Sequence, residues 1–311
     1  MHGVPLITGA TGFAGGHLLD RLTAAGGTVH AFAHAGGQRP APRAGVLWTV
    51  VDLLDGPAVR DAIAAARPSV IYHCAGLAHV QDAWNAPARS LRVNVLGTHH
   101  LIEACRDLAP ACRVVVTGSA QVYGPRPEAI SEDDPIAPAN PYGLSKLAQE
   151  MTAATSGLPV LLTRPFNHAG PRQSPSYASS GFAQQIALIE AGRAEPVLRV
   201  GNLDARRDIT DVRDTVRAYQ ALADAGTPLR PYNVCSGRAY SMRELLDRLL
   251  SCARVRVRVE IDPARLRPSD IPIIIGSHDR LTHDTGWRPE IPIEQTLSDT
   301  LDYWRGVTAA A

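Results

Sequence analysis

Across residues 1–165, short apolar runs alternate with Ala-, Leu- and Arg-rich stretches, and this cadence restricts the fold more than any other feature of the chain. Residues 4–8, 28–33, 46–51, 70–74, 114–117 and 160–163 are brief, Val-bearing and apolar, which reads as strands. Residues 16–25, 57–66, 88–108 and 142–155 have the composition of helices. Strands separated by helices run parallel, and right-handed crossovers place helices on both faces. The expectation is an α/β fold with a doubly wound parallel sheet.

The first strand leads into Gly9-Ala10-Thr11-Gly12-Phe13-Ala14-Gly15 and then a helix. Glycines at this point allow a tight turn, close backbone approach to a pyrophosphate and tight helix–strand packing. The helix N-terminus offers free N–H donors to the anion, so a Rossmann-type dinucleotide site is expected here. The second strand ends Ala31-Phe32-Ala33-His34, without the acid that would bind an adenosine 2′-hydroxyl and repel a 2′-phosphate. His34 and Arg39 supply positive charge there instead, which favours NADP(H) and leaves NAD(H) open.

All but one of the 31 basic residues are arginine, and the exception is Lys146, in Tyr142-Gly143-Leu144-Ser145-Lys146. In so Arg-rich a chain, a retained lysine marks a site needing a compact, titratable ammonium. Tyr142 lies four residues earlier, on the same face of a helix. An adjacent ammonium favours phenolate, so a Tyr142 of lowered pKa is expected, usable as a proton donor or acceptor near neutral pH.

The C-terminal half is less regular. Residues 170–181 form a Pro/Ser/Gly-rich loop, 182–191 and 212–224 look helical, and 232–235 look like a strand. Ser241 opens an amphipathic helix over 241–250, with Glu244 placed to close a capping box. Arg254, Arg256 and Arg258 alternate with valines, which reads as a half-exposed strand. The expected division is a dinucleotide-binding domain of residues 1–165 with returning segments near 208–235, and a smaller C-terminal substrate domain of 166–207 and 236–311.

Net charge is +1, and Arg is interspersed with Asp and Glu, so no nucleic-acid partner is expected. No apolar run approaches the roughly 20 residues that span a bilayer, so no membrane partner is expected. Five cysteines form no CxxC pair or His/Cys ligand cluster, which points to reduced thiols, no metal and a cytoplasmic protein.

The spacing GxxGxxG resembles the short-chain dehydrogenase/reductase superfamily, and the landmarks of its extended branch recur in order. These are Asp52-Leu53 after the third strand, Cys74-Ala75-Gly76 after the fourth, and Asn94 in Val93-Asn94-Val95. Ser119 in Thr117-Gly118-Ser119, Tyr142 with Lys146, and Arg164-Pro165-Phe166-Asn167 complete the series. The resemblance implies that Ser119, Tyr142 and Lys146 are catalytic. It implies cofactor contacts from Gly9, Thr11, Gly12, Phe13, Ala14, Gly15, His34, Asp52, Leu53, Cys74, Ala75, Gly76, Asn94 and Pro165, besides Tyr142 and Lys146. Relatives pair through the helices corresponding to 88–108 and 142–155, which implies a homodimer.

The second half is similar to nucleotide-sugar enzymes, in particular to GDP-mannose dehydratases and GDP-4-keto-6-deoxymannose reductases. Asn167-His168-Ala169-Gly170-Pro171-Arg172 matches their sugar–pyrophosphate loop, and the stretch 196–208 their nucleotide-binding segment. The implied substrate contacts are His79, Gln81, Gln121, Asn167, Val197, Arg199, Asn202, Arg207, Arg267 and Asp270. Dehydratases of this kind carry a carboxylate two residues after the catalytic Ser/Thr; here Ser119-Ala120-Gln121 offers an amide that cannot titrate. The resemblance therefore implies NAD(P)H-dependent reduction of the 4-keto group of a GDP-4-keto-6-deoxyhexose, of the GDP-rhamnose-forming type. An NAD-dependent nucleotide-sugar 4-epimerase is the alternative. A GDP-mannose 4,6-dehydratase and a non-catalytic cofactor-binding scaffold fit less well.

Overall fold

The computed structural model describes residues 3–34, 36–37, 40–266 and 273–310. Strand β1 (Leu6–Thr8) is followed by α1 (Phe13–Ala24), β2 (Val29–Ala33), β3 (Val46–Val50), α2 (Gly56–Ala66) and β4 (Val70–His73). Short helices α3 (Val80–Asn85) and α4 (Pro87–Leu91) then run through a π-helical turn, Arg92–Leu96, into α5 (Gly97–Leu108). Next come β5 (Arg113–Thr117), α6 (Pro141–Ala154), β6 (Val160–Pro165) and β7 (Asn167–Ala169). Beyond them lie α7 (Ala178–Glu190), β8 (Val197–Val200), β9 (Arg206–Asp211), α8 (Val212–Ala225) and β10 (Pro231–Val234). The chain closes with β11 (Ala239–Ser241), α9 (Met242–Ser251), β12 (Arg258–Ile261), β13 (Ile273–Ile274), α10 (Asp279–Thr285) and α11 (Ile293–Ala310).

The central sheet has seven strands in the order β10-β6-β5-β4-β1-β2-β3, all parallel. The order reverses direction at β1 and β4, so the C-terminal ends of these two strands open the crevice where doubly wound sheets take ligands. One face is sealed by α1, α8 and α10, through Leu18, Leu19, Val216, Tyr219, Leu222 and Leu281. The other is sealed by α2, α5 and α6, through Val59, Ile63, Leu101, Ile102 and Ala153. Near-continuous burial of β1, β5 and β6 is what a sheet covered on both sides requires. A separate apolar cluster joins α7, α9 and α11 over β8 and β9, with Ile186, Leu198, Leu245, Leu249 and Leu301.

The expected strands of the first half are present, with ends displaced by one or two residues. Helix α1 begins at Phe13 rather than residue 16, because Gly12 serves as its N-cap inside the glycine loop. Ser241 and Glu244 form the complete capping box. The Arg/Val alternation yields a strand only from Arg258, which pairs in parallel with β8; the Arg254 amide is instead bonded by the Glu190 carboxylate. The single helix expected over 88–108 contains the π-helical turn, a device that hydrophobic periodicity does not encode.

Candidate active site

At the end of β1, Gly9 adopts φ +67, and a Cβ there would lie 2.7 Å from the Ala75 nitrogen. A Cβ on Gly15 would lie 2.2 Å from the Gly9 carbonyl oxygen, so only hydrogen fits between α1 and the loop. Helix α1 has no side-chain cap and no acid in its first turn, leaving the N–H groups of Phe13 and Ala14 for an anion, while the Gly12 amide closes the turn onto the Gly9 carbonyl at 2.9 Å. Thr11 is exposed at the same rim. This cradle fits a dinucleotide pyrophosphate.

Across the crevice, Asp52 accepts from the Leu54 amide at 2.9 Å, and Leu53 packs beneath Gly97. Cys74, Ala75 and Gly76 form the lip after β4, with Cys74 and Ala75 half-buried and Gly76 exposed. The π-helical turn aims Asn94 inward: its Oδ1 accepts from the Leu77 amide at 2.8 Å and its Nδ2 donates to Ser145 Oγ at 2.9 Å. His34 is exposed, and its Nδ1 accepts from the Gly36 amide at 2.9 Å. Pro165 is buried at the end of β6. Arg39, Arg267 and Asp270 lie outside the described residues.

Asn140 opens α6: its Oδ1 accepts from the Gly143 amide at 2.8 Å, and its Nδ2 donates to Gln121 Oε1 at 2.9 Å. Gln121 is thereby tethered over the first turn of α6, with its own amide donating to Ser119 Oγ at 3.1 Å. Ser119, Tyr142 and Lys146 are buried together, at 7 %, 8 % and 4 % exposure, and the Ser119 hydroxyl lies beside the Tyr142 phenol, where it eases ionisation. Lys146 Nζ donates to the Thr117 carbonyl at 2.7 Å and to Gln149 Oε1 at 2.8 Å.

One sequence expectation is overturned. Burial pushes the Tyr142 phenol above its ordinary value, the Ser119 hydrogen bond opposes that rise, and nearby Tyr177 adds to it. Burial outweighs whatever pull the ammonium exerts on the phenol; two of its three donors go to Thr117 and Gln149, which leaves one. Burial in turn lowers Lys146 to about 8. Burial also lowers His73 to about 3 and raises the Cys74 thiol to about 12.

On the substrate side, His79 packs edge-on against Tyr177 with ring centroids 5.5 Å apart, and Gln81 is exposed on α3. Tyr177 did not emerge from the sequence; a lone aromatic in a Pro/Ser/Gly-rich loop was its only signal. Asn167 is exposed at the start of β7, and the following His168 stacks on Phe13 at 5.6 Å, joining the second-half loop to α1. Val197 and Arg199 lie on β8, with Arg199 exposed and its amide bonded to Gln185 Oε1 at 3.0 Å. Asn202 is exposed in the following turn, where its Oδ1 accepts from the Asp204 amide at 2.9 Å. Arg207 is half-buried on β9, donating to the Arg206 carbonyl at 2.8 Å.

A family model described as GDP-mannose 4,6-dehydratase matches residues 6–300. The chain belongs to this GDP-mannose 4,6-dehydratase family. Within it, a GDP-6-deoxy-D-mannose reductase of Pseudomonas aeruginosa is 38 % identical over 305 residues, covering 96 % of each chain. The solved structure of RMD from Pseudomonas aeruginosa complexed with NADPH superposes with a TM-score of 0.84 at 34 % identity, over 98 % of this chain and 99 % of that one. A Thermus thermophilus UDP-glucose 4-epimerase complexed with NAD has a TM-score of 0.86 at 30 % identity, over 97 % and 99 %. The protein is an extended short-chain dehydrogenase/reductase of the nucleotide-sugar type, built to bind a nicotinamide dinucleotide. Among the described residues, no helix is long and apolar enough to cross a membrane.

Proposed function

We propose that this member of the family reduces the 4-keto group of a GDP-4-keto-6-deoxyhexose, taking NADPH in preference to NADH. The observation that carries the reading is a complete Ser119–Tyr142–Lys146 set with the amide of Gln121 where a dehydratase has a base. An amide neither gives nor takes a proton at usable pH, so a C5 proton has no acceptor at that position. The reductase relative and the NADPH-bound neighbour support the choice of reaction and cofactor, as does the missing acid after β2.

In this reading the glycine loop from Gly9 to Gly15 holds the pyrophosphate, and Asp52 and Leu53 meet the adenine. Cys74, Ala75, Gly76, Asn94 and Pro165 line the path to the sugar. When bound, the dinucleotide supplies a hydride to C4. Tyr142 donates its proton to O4, Ser119 hydrogen-bonds the same oxygen, and Lys146 stabilises the phenolate left behind. Burial raises the proton affinity of Tyr142, which suits a group that must arrive protonated. His79, Gln81, Gln121 and Asn167 face the sugar, while Val197, Arg199, Asn202, Arg207, Arg267 and Asp270 hold the nucleotide. Residues 1–165 with the returning stretch 208–235 would form the cofactor domain, and the remainder the substrate domain. We assign a homodimer through α5 and α6; the outer face of α6 exposes Leu144 (51 %) and Met151 (60 %).

Mixing the enzyme with NADPH and a GDP-4-keto-6-deoxyhexose should consume one reduced nicotinamide per sugar, followed by absorbance. A cofactor retained through gel filtration, with no net consumption, would instead identify a 4-epimerase. Arg207→Ala should raise the sugar nucleotide's KM while sparing kcat, because a diphosphate clamp acts alike in ground and transition states. A fall in kcat at unchanged KM would remove Arg207 from that role.

A further inference from the structure

Beneath the catalytic lysine runs a buried chain of hydrogen bonds that the proposed reaction does not use. Lys146 Nζ donates to Gln149 Oε1 at 2.8 Å, and Gln149 Nε2 donates to Thr98 Oγ1 at 3.0 Å. Thr98 Oγ1 gives its single proton to the Asn94 carbonyl at 2.6 Å, so it can only accept from its other neighbours. One of these is His73 Nε2, at 2.8 Å. His73 therefore carries its proton on Nε2, and Nδ1 must accept from Thr8 Oγ1, also at 2.8 Å. Thr8 Oγ1 in turn accepts from the Ala75 amide at 3.2 Å, the residue against which Gly9 is packed.

Each link pairs a donor with an acceptor, and each orientation is fixed by the one before it. Thr8, His73, Thr98 and Gln149 are at most 1 % exposed, so no water competes. The low proton affinity of His73 keeps it neutral, as its assigned tautomer requires. The chain joins the carboxyl ends of β1 and β4, the π-helical turn and α6, the four places where cofactor and proton chemistry would meet.

We propose that Gln149 is a positioning residue for Lys146: its amide anchors the ammonium and, through Thr98 and His73, ties it to the glycine loop at Thr8. A neutral acceptor at that point stabilises the charged amine without fixing it permanently. The other ionisable groups facing the amine are Cys74 and His73 from the end of β4, with Tyr219 of α8 and Tyr142 of α6 behind them. None of these carries a fixed negative charge at neutral pH, so Gln149 Oε1 is the side-chain acceptor on which the ammonium depends. The inference rests on Lys146 being catalytic, but not on which sugar is reduced.

Because Lys146 is the only lysine, lysine labelled at Cε yields one side-chain resonance, and its pH titration reads this amine alone in the substrate-free protein. The native midpoint should fall near 8. Gln149→Leu removes the acceptor and should move the midpoint down by about one pH unit, a tenfold gain in acidity. Gln149→Glu, nearly isosteric, should move it up by a similar amount, since an opposite charge favours the ammonium. NADPH affinity, read by nucleotide fluorescence, should weaken in Gln149→Leu. Opposite shifts cannot come from loosened packing, so they support the anchor even if one variant is less stable. A native midpoint in both variants, or shifts of the same sign, overturns it. Failure of the keto-sugar assay with the titration as described would instead sink the substrate reading and leave the anchor standing.

Discussion

Tyr142→Phe is expected to abolish nearly all turnover while leaving NADPH binding close to native. The phenol is buried beside Ser119, so its removal deletes the proposed proton donor without opening the crevice. A positioned general acid contributes about 10²- to 10⁴-fold, and that is the loss expected in kcat with the keto-sugar. Losing one satisfied buried hydrogen bond costs stability only about 1 kcal/mol, so the folded fraction should be unaffected. Stopped-flow absorbance under single turnover separates the two quantities. Full-rate hydride transfer in this variant would remove Tyr142 from the reaction. The pH profile supplies a second check with a definite sign. The donor form of Tyr142 is the neutral phenol, held in place by burial across the neutral range. Lys146 is charged below about 8 and neutral above it. Reduction should therefore be flat on the acid side and decline as pH rises through that value.

The direction of that profile could not be read from Tyr-x-x-x-Lys alone. Spacing puts both side chains on one helix face, and from there an acidic phenol is the natural expectation. Burial reverses it, because desolvation outweighs an ammonium with two of its three protons on Thr117 and Gln149. Other parts of the site were plain in the sequence for local reasons. The glycine loop needs Gly9 and Gly15 whatever surrounds it, and Ser241 with Glu244 caps a helix by side chains three residues apart. What stayed hidden depends on separate segments meeting. Thr8, His73, Thr98 and Gln149 span more than 140 positions and become one chain only when β1, β4, the π-helical turn and α6 are side by side. Tyr177 gains its place only when the second-half loop folds over α3, bringing it to His79. Glu150 and Arg164, 14 positions apart and paired only by the fold, carry one more message.

That message concerns stability, and Glu150→Ala should cost about 3–5 kcal/mol in urea unfolding. Arg164 reaches Glu150 with two parallel bonds, Nη2 to Oε1 at 2.6 Å and Nε to Oε2 at 3.0 Å, and both residues are nearly inaccessible. The third donor of the guanidinium meets the Tyr123 hydroxyl at 2.8 Å, which itself donates to Asn233 Oδ1 at 2.9 Å. The carboxylate thus neutralises a charge locked between α6, β6 and β10. Truncating it leaves that charge without a counterion in a dry site, where the penalty far exceeds that of losing an exposed pair. Replacing both partners, as Glu150→Met with Arg164→Leu, should recover most of the loss, since no orphaned ion remains. Activity should not recover with it. Glu150 lies two turns beyond Tyr142, and the bidentate bond fixes the rotation of α6 on the sheet in a way that apolar packing does not. A double variant restored in both stability and kcat would show that the ion pair contributes nothing to the placement of Tyr142. A single variant losing less than about 1 kcal/mol would mean that water reaches the guanidinium.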